Sequence, residues 1–381
     1  MSQLDLSFVF PCLNEEETME YCILELKNAL EQTGISYEIV VSDNGSTDRS
    51  VQIAESLGAR VVYADKRGYG EALKKGFAEA NGKYIAFADI DGSYPLEYLP
   101  QMYKKIVEED ADMVVASRMK GIVEKKAMPF LHRYLGTPVL TKLINLFFRG
   151  KLSDCNSGFR IFKKESYEKW HVKSSGMEFA SELLIKVLKC KGKVLEIPAG
   201  LRPDKRSRKP HLRTWRDGMR HLLFILSETP KFFEWLGISF VGLATVFYLM
   251  SIILGVTEIG NVVIFDYHSK LLLLFMMIIG LQFWFFSAFL YVSKADDKPT
   301  KLTNYLIQLK EEMLFLFCLL LMMIILCLVI VLISYWGAHN FQNMHLIHPL
   351  LDISYWIIFF FLSCMGLMQI HILKRTINRG S

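Results

Sequence analysis

Cysteine is sparse and unpatterned. The 381 residues hold seven (Cys12, Cys22, Cys155, Cys190, Cys318, Cys327 and Cys364), an odd number with no CxxC spacing. That argues against a disulfide framework or a cysteine-built metal cluster, and the thiols are expected to stay reduced. No internal repeat or low-complexity linker interrupts the chain. The N-terminus opens on a polar stretch without a basic n-region, so no signal peptide is expected. The most informative absence is of charge. Four runs, 236–256, 271–292, 313–335 and 353–373, contain no Asp, Glu, Lys or Arg, and the one histidine among them, His371, lies near an end.

A helix of about 20 apolar residues crosses a hydrocarbon core of about 30 Å. Four spans are therefore expected in a membrane domain 234–381. Buried core helices are the alternative, and four such runs in succession weigh against it. Lys and Arg sort to one side. Segments 257–269 and 336–349 have none, whereas the second connection carries Lys294, Lys298, Lys301 and Lys310 and the tail carries Lys374, Arg375 and Arg379. Positive loops face the cytoplasm, which puts the N-terminal domain and the C-terminus of a multi-pass plasma-membrane protein there. Trp235, Tyr291, Tyr335, Trp336, Tyr355 and Trp356 fall near span ends, where amphipathic rings favour the interface. The net charge of +5 is modest, and where it sits says more than its size.

Up to residue 210 charged and apolar residues mix as in a soluble domain. "LSFVF" (6–10), "YEIVVS" (37–42), "RVVYA" (60–64), "YIAFA" (84–88) and "DMVVAS" (112–117) read as strands buried on both faces. Segments 15–31, 47–57, 69–80 and 95–109 have helical spacing. This alternation predicts an α/β domain with a mostly parallel sheet. Ligands of such sheets bind beyond the carboxyl ends of the strands, where "PCLNEEE", "SDNGSTD" and "DIDGS" lie. Taken singly, "DNGSTD" is explained by a turn and a helix cap; three polar loops at one edge point to one site.

Asp89 and Asp91 are hard oxygen ligands at a strand end and suit Mg²⁺ or Mn²⁺ together with phosphate oxygens. A DxD by itself is also an ordinary solvated turn. "RGYGEA" (67–72), which opens the preceding helix, strengthens the phosphate reading, although a tight turn explains its glycines equally well. Basic residues gather in "SRMKG" (117–121), "HRYLGT" (132–137) and 202–221, the last with eight Lys or Arg against two Asp. From 211 to 233 apolar Leu212, Trp215, Met219, Leu222, Leu223 and Leu226 interleave with Arg213, Arg216 and Arg220. That pattern fits a helix lying in the headgroup plane, with a basic collar beside the membrane as the simpler reading.

With these loops in hand, the sequence resembles glycosyltransferase family 2, and within it the polyprenyl-phosphate glycosyltransferases. The stretches that carry the resemblance are "FPCLNEEE", "VVSDNGSTDRS", "RGYGEALKKGFAEANGKYIAFADIDGSYP", "ASRMKG", "DCNSGFRIF" and "PDKRSRKPHLRTWRDGMRHL", over roughly residues 5–230. The resemblance implies a GT-A (Rossmann-like) catalytic domain, here 1–210, then an interfacial region 211–233 and the four spans. It implies inverting, Mg²⁺- or Mn²⁺-dependent transfer of one sugar from a nucleotide-diphosphate sugar to undecaprenyl or dolichyl phosphate, for cell-envelope glycan modification or glycosylation. UDP-sugars are favoured and GDP-mannose is the alternative. Carried over by position, Pro11, Leu13, Glu15, Asp43 and the Asp89–Ile90–Asp91 stretch line the donor, with Arg202 and Arg206 closing over it. Asp89 and Asp91 hold the metal and are the catalytic pair. Arg118, Arg133 and Thr137 grip the acceptor phosphate, and Asp154 shapes the acceptor side. Some members have an amide where this chain has Ser93, which leaves one metal-shell contact implied by the resemblance in doubt. Glu178 and Glu182, four apart, are candidates for a general base. A phosphomonoester with a second pKa of about 6 is already ionised near neutrality and needs positioning more than deprotonation.

Two rival readings stand beside this one. A processive polysaccharide synthase shares the donor half, but its QxxRW motif is absent, since "YEKW" (167–170) lacks both Gln and Arg. A transporter or flippase with a regulatory soluble domain needs ionisable residues inside the membrane, and the four runs have essentially none. Nucleic acid is not expected as a partner, because the basic residues adjoin the bilayer. A homo-oligomer and a downstream flippase are open as partners.

Overall fold

The computed structural model describes residues 4–207, 214–259, 262–293, 297–338 and 347–380. The chain forms two compact units, Met1–Leu226 and Ser227–Ser381. In the first, strands and helices alternate as β1 (Leu6–Cys12), α1 (Met19–Leu30), β2 (Tyr37–Asp43), α2 (Ser50–Ser56), β3 (Arg60–Tyr63), α3 (Tyr69–Glu79), β4 (Tyr84–Phe87), α4 (Leu99–Glu108) and β5 (Met113–Ser117). All five expected strands are present. Then follow α5 (Thr137–Phe148), β6 (Arg160–Lys163), α6 (Lys164–Trp170), α7 (Phe179–Lys189), β7 (Val194–Pro198) and α8 (Thr214–Ser227).

The sheet order is β3-β2-β1-β4-β6-β5-β7. β6 runs antiparallel to both neighbours, with Phe87 opposite Arg160 and Val115 opposite Arg160. The other pairings are parallel. β6 and β7 escaped the sequence reading because "RIFK" and "VLEIP" are short and carry charge. The mixed seven-stranded sheet is GT-A-like, as the resemblance implied.

Side chains on β1 alternate between two cores, as strand geometry requires. Phe8 and Phe10 pack with Met19 and Leu99 on one face. Val9 packs with Phe77, Phe87, Phe162 and Phe179 on the other. α3 lies so close to β1 that a Cβ at Gly76 would come within 2.3 Å of Val9 Cγ1. This burial on both faces holds the strand ends, and the loops that leave them, in register.

The second unit contains α9 (Pro230–Leu254), a hairpin of β8 (Thr257–Ile259) and β9 (Val262–Ile264), α10 (Tyr267–Ser293), α11 (Lys301–Gln308), α12 (Glu311–Ala338) and α13 (Ile347–Gly380). Four of these helices are long and apolar enough to cross a membrane. α12 has 28 residues, a length of about 42 Å at 1.5 Å per residue. α9 and α10 meet through glycines. A Cβ at Gly280 would lie 2.8 Å from both Phe240 Cβ and Val241 N, and one at Gly237 would lie 2.5 Å from Trp284 N. Small residues permit such backbone approach where lipid supplies no hydrophobic drive.

Two expectations are corrected here. The helices overrun the apolar runs, and their extra turns bring ionisable groups into the bundle. Asp352 takes Lys270 Nζ at 2.7 Å and the Tyr248 hydroxyl at 2.5 Å. Buried Glu234 accepts from Tyr291 Oη at 2.8 Å and Thr300 Oγ1 at 2.6 Å. Each of these carboxylates is fully engaged in tying helices together, which is how charge near a membrane is tolerated. The continuous amphipathic helix expected over 211–233 is also interrupted. α8 ends at Ser227 and α9 begins at Pro230, because proline has no N–H to donate and favours the first helical turn. Residues 208–213, with Arg208, Lys209, His211, Leu212 and Arg213, lie outside the described residues, as do Lys294 and most of 336–349.

Replacing Gly280 by Leu forces α9 and α10 apart. A loss of about 1–3 kcal/mol, typical of overpacking, is expected as a lowered thermal midpoint of the detergent-solubilised protein, with Gly242→Leu, whose Cβ meets nothing within 4 Å, as the neutral control.

Candidate active site

Three strand-end loops are hydrogen-bonded into one rim. In the loop after β1, Asn14 donates its N–H to Ser46 Oγ (2.9 Å) and accepts from Thr47 N (2.7 Å). Glu15 donates its N–H to Ser50 Oγ at 2.7 Å. Asp43, buried at the end of β2, accepts from the N–H groups of Gly45 and Ser46 at 3.0 and 3.2 Å. Its carboxylate thus closes the "SDNGS" turn, the local role that Asp plays in turns. Asn44 joins the third loop by accepting from Gly68 N at 2.7 Å. Pro11 pairs in register with Ser42, and Leu13 follows half-buried. Pro11, Leu13, Glu15 and Asp43, the residues expected to line a donor, are therefore neighbours on one rim.

The Asp89–Asp91 stretch leaves β4 beside this rim. Ile90 is buried, and its carbonyl accepts from Thr18 Oγ1 at 2.5 Å. Asp89 accepts from the Tyr69 hydroxyl at 2.8 Å. A Cβ at residue 158 would lie 2.6 Å from Asp89 Oδ2, so only glycine leaves that side of the carboxylate open. Burial first, and then the neighbouring charge of Asp91, raises the Asp89 carboxyl to about 7. Asp91 Oδ2 takes the Arg206 guanidinium at 3.1 Å, and its Oδ1 accepts from Ser93 N at 2.9 Å. Ser93 thus braces Asp91 through its backbone. The set offers two hard carboxylates two residues apart, with a cradle left open by Gly158. A small divalent cation fits such a set.

At the end of β5, Arg118 grips Asp154 with Nε at 2.7 Å and Nη2 at 2.8 Å, and its backbone N–H adds a third bond at 3.1 Å. Burial opposes both charges. For Arg118, Tyr94 and Asp154 outweigh it and raise the pKa; for Asp154, Arg118 outweighs it and holds the carboxyl below its usual range. The pair is ionised, and Arg118 still has three N–H groups to offer an anion. Asp154 is therefore a positioning partner for Arg118. Thr137, buried at the start of α5, accepts from Asn156 Nδ2 at 3.5 Å. Arg133 sits in a wide helical turn, His132–Gly136, with its guanidinium 5.5 Å from the Tyr134 ring. No carboxylate lies within ion-pairing distance of Arg133 among the described residues.

The two glutamate candidates separate. Glu182 is buried and accepts from Lys173 N at 3.0 Å and Ser174 N at 2.6 Å, so it anchors the segment before α7 and is not placed as a base. Glu178 precedes the first turn of α7 and accepts from Gly176 N at 3.3 Å. The two basic residues after β7 separate as well. Arg206 reaches the carboxylates, whereas Arg202 turns to Glu25 (2.7 Å), Glu97 (2.9 Å) and Tyr21 (3.0 Å).

Several contributors were not legible in advance. Tyr94 Oη accepts from Gly158 N at 2.6 Å and so fixes the glycine that faces Asp89. Arg160 is fully buried, and its guanidinium donates to the carbonyls of Cys155, Ser157 and Ala180 at 2.7–2.9 Å. It thereby holds the "DCNSG" turn to α7. "DCNSGFRIF" was the available signal, but nothing in it says that the arginine points inward. A second unforeseen feature is an apolar face. Phe130, Leu131, Tyr134 and Leu135 are exposed around the wide turn, Phe130 by 73%; Trp215 and Leu223, already expected to face outward, are exposed on α8.

The sequence model of glycosyl transferase family 2 matches residues 7–170. The low-salt glycan biosynthesis hexosyltransferase Agl6 of Haloferax volcanii is 36% identical over 291 residues, covering 76% of this chain and 68% of that protein. The dolichol-phosphate mannosyltransferase of Pyrococcus furiosus is 28% identical over 201 residues, 51% of this chain and 56% of its own length. Among solved structures, glucosyl-3-phosphoglycerate synthase from Mycobacterium tuberculosis, crystallised with Mn²⁺, UDP and glucosyl-3-phosphoglycerate, aligns with a TM-score of 0.48 at 24% identity, over 59% of this chain and 80% of that one. The family match, the identity to the Haloferax hexosyltransferase and the mixed α/β sheet with its polar strand-end rim place this chain in glycosyltransferase family 2.

Proposed function

We propose that the enzyme transfers one sugar, with inversion, from a nucleotide-diphosphate sugar to a polyprenyl phosphate at the cytoplasmic face of a membrane. The observation that carries this reading is the pairing of two chemistries at one sheet edge. A carboxylate pair stands at the end of β4. At the end of β5 stands Arg118, locked by Asp154 with donor capacity to spare. The name of the Pyrococcus relative supports the acceptor class; UDP-sugars are the donors the family resemblance favours, with GDP-mannose as the alternative.

Asp89 and Asp91 would hold a Mg²⁺ or Mn²⁺ ion. An ion held there would supply charge neutralisation for the leaving diphosphate. The rim of Pro11, Leu13, Glu15 and Asp43 positions the nucleotide. Arg118 and Arg133, with Thr137 at the start of α5, receive the acceptor phosphate, since guanidinium forks match phosphate oxygens. One phosphate oxygen attacks the anomeric carbon as the bond from that carbon to the β-phosphate oxygen breaks. The nucleoside diphosphate leaves with the electron pair. Because the acceptor is already ionised, the step needs no side-chain base, in keeping with the engagement of Glu182 by backbone amides. What the protein supplies is orientation and charge compensation between two anions.

The apolar residues exposed around 130–135 and on α8 would enter the headgroup layer, so the lipid tail stays in the bilayer while its phosphate meets Arg118. The four long helices would span that bilayer with both ends of the chain on the cytoplasmic side, following the Lys and Arg pattern.

Three outcomes test this. Incubation of the full chain with Mn²⁺, candidate nucleotide sugars and undecaprenyl phosphate should release free nucleoside diphosphate, and chelator should abolish it; failure with every donor would overturn the reading. Asp89→Asn should lower turnover by about 10²-fold or more, the scale of losing a preorganised electrostatic contact, without unfolding the protein. Asp154→Asn should raise the KM for the lipid acceptor roughly tenfold while leaving the donor KM near wild type, because about 1.4 kcal/mol of Arg118 preorganisation is lost. Equal changes in both KM values would refute the division into donor and acceptor sides.

A further inference from the structure

Residues 202–207 form a strap across the "DIDGS" loop. Arg202 N donates to Ser93 O at 2.8 Å and Lys205 N to Asp91 O at 3.0 Å. The Lys205 ammonium lies 3.1 Å from the Tyr21 ring centroid, and its side-chain carbons cover Gly92, where a Cβ would meet Lys205 Cδ at 3.0 Å. Ser207 N donates to Glu17 Oε2 at 2.6 Å. These contacts deliver the Arg206 guanidinium onto three carboxylates at once. Nη1 reaches Glu15 at 3.1 Å, Nη2 reaches Asp91 at 3.1 Å and Asp204 at 2.6 Å, and Nε lies 2.9 Å from Asp204. The Arg206 guanidinium thus joins carboxylates from three separate segments, with Asp89 two residues from Asp91.

We infer that Arg206 is an internal counter-cation that holds the seat of the divalent ion in the ligand-free enzyme. This rests on the reading of Asp89 and Asp91 as that ion's ligands. A guanidinium on Asp91 Oδ2 and a metal ion on the same oxygen exclude one another, both by space and by like charge. The ion therefore loads only in molecules whose Arg206 has let go of Asp91, and its apparent affinity falls by the fraction of molecules in that open state. A donor diphosphate offers the released guanidinium a new bidentate partner. Donor and ion then favour each other's binding, as reciprocal linkage demands. The strap thereby couples metal loading to donor binding, and Arg206 stays on the carboxylates between turnovers.

The experiment is Mn²⁺ binding to the full chain in detergent, without donor or acceptor, read by calorimetry or by the loss of the free-ion resonance. Arg206→Gln should bind Mn²⁺ about tenfold more tightly than wild type, the effect expected when the competitor holds nine molecules in ten. Arg206→Lys, which keeps the charge, should stay nearer wild type. A second readout uses the wild type alone: Mn²⁺ should accelerate tryptic cleavage within 202–207, and it should not do so in Asp91→Ala. A folded Arg206→Gln protein that binds Mn²⁺ no more tightly than wild type, or cleavage in the wild type that ignores Mn²⁺, would overturn the inference while leaving the metal reading intact. A wild type that binds no Mn²⁺ at all overturns the metal reading itself, and this inference with it.

Discussion

Negative charge collects at one edge of the sheet, and guanidinium groups balance it. Asp89 and Asp91 leave β4, Glu15 leaves β1 and Asp154 lies in the turn before β6. Unpaired, such a cluster would be costly in so dense a setting, since burying a charge is tolerated only with a partner. Arg118 compensates Asp154 through a bidentate fork. Arg206 compensates Asp91, Glu15 and Asp204 together. The same pairings tie the loops of this edge to one another.

This compensation depends on rigid strands. β1, β4 and β5 are buried on both faces, so their ends are fixed by two cores. The antiparallel β6 does more than fill the gap between β4 and β5. It places Arg160 beneath the site, where three backbone carbonyls take its hydrogen bonds and the "DCNSG" turn is held under Asp89. Gly158, in that turn, leaves the open side of the Asp89 carboxyl, and Tyr94 fixes the glycine's position. Support of this kind, a shell that orients the groups in contact with substrate, is what holds a site to working geometry.

The membrane unit solves a related problem with different materials. Its helices approach through Gly237 and Gly280, and Glu234, Lys270 and Asp352 are engaged in pairs and networks between them. Asp352 joins α13 to Lys270 of α10 and Tyr248 of α9. The apolar runs alone gave no sign of this, because the charged residues stand just outside them, in turns that the helices add.

Periodicity and local chemistry were enough to read the alternating strands and helices, the three polar loops at one edge and the four long apolar helices. The reason is physical: burial on both faces leaves continuous apolar runs, turns need Gly, Asn and Asp, and a span needs about 20 uncharged residues. The pairings between segments distant in the chain were decided only in the tertiary structure. Arg118 finds Asp154, Arg206 finds Asp91 and Glu15, Arg202 turns away to Glu25, and Glu182 closes on two backbone amides. Which carboxylate meets which guanidinium depends on strand order and on the antiparallel β6, neither of which leaves a periodic trace in the sequence, because long flexible side chains take their partners from whatever the fold brings within reach.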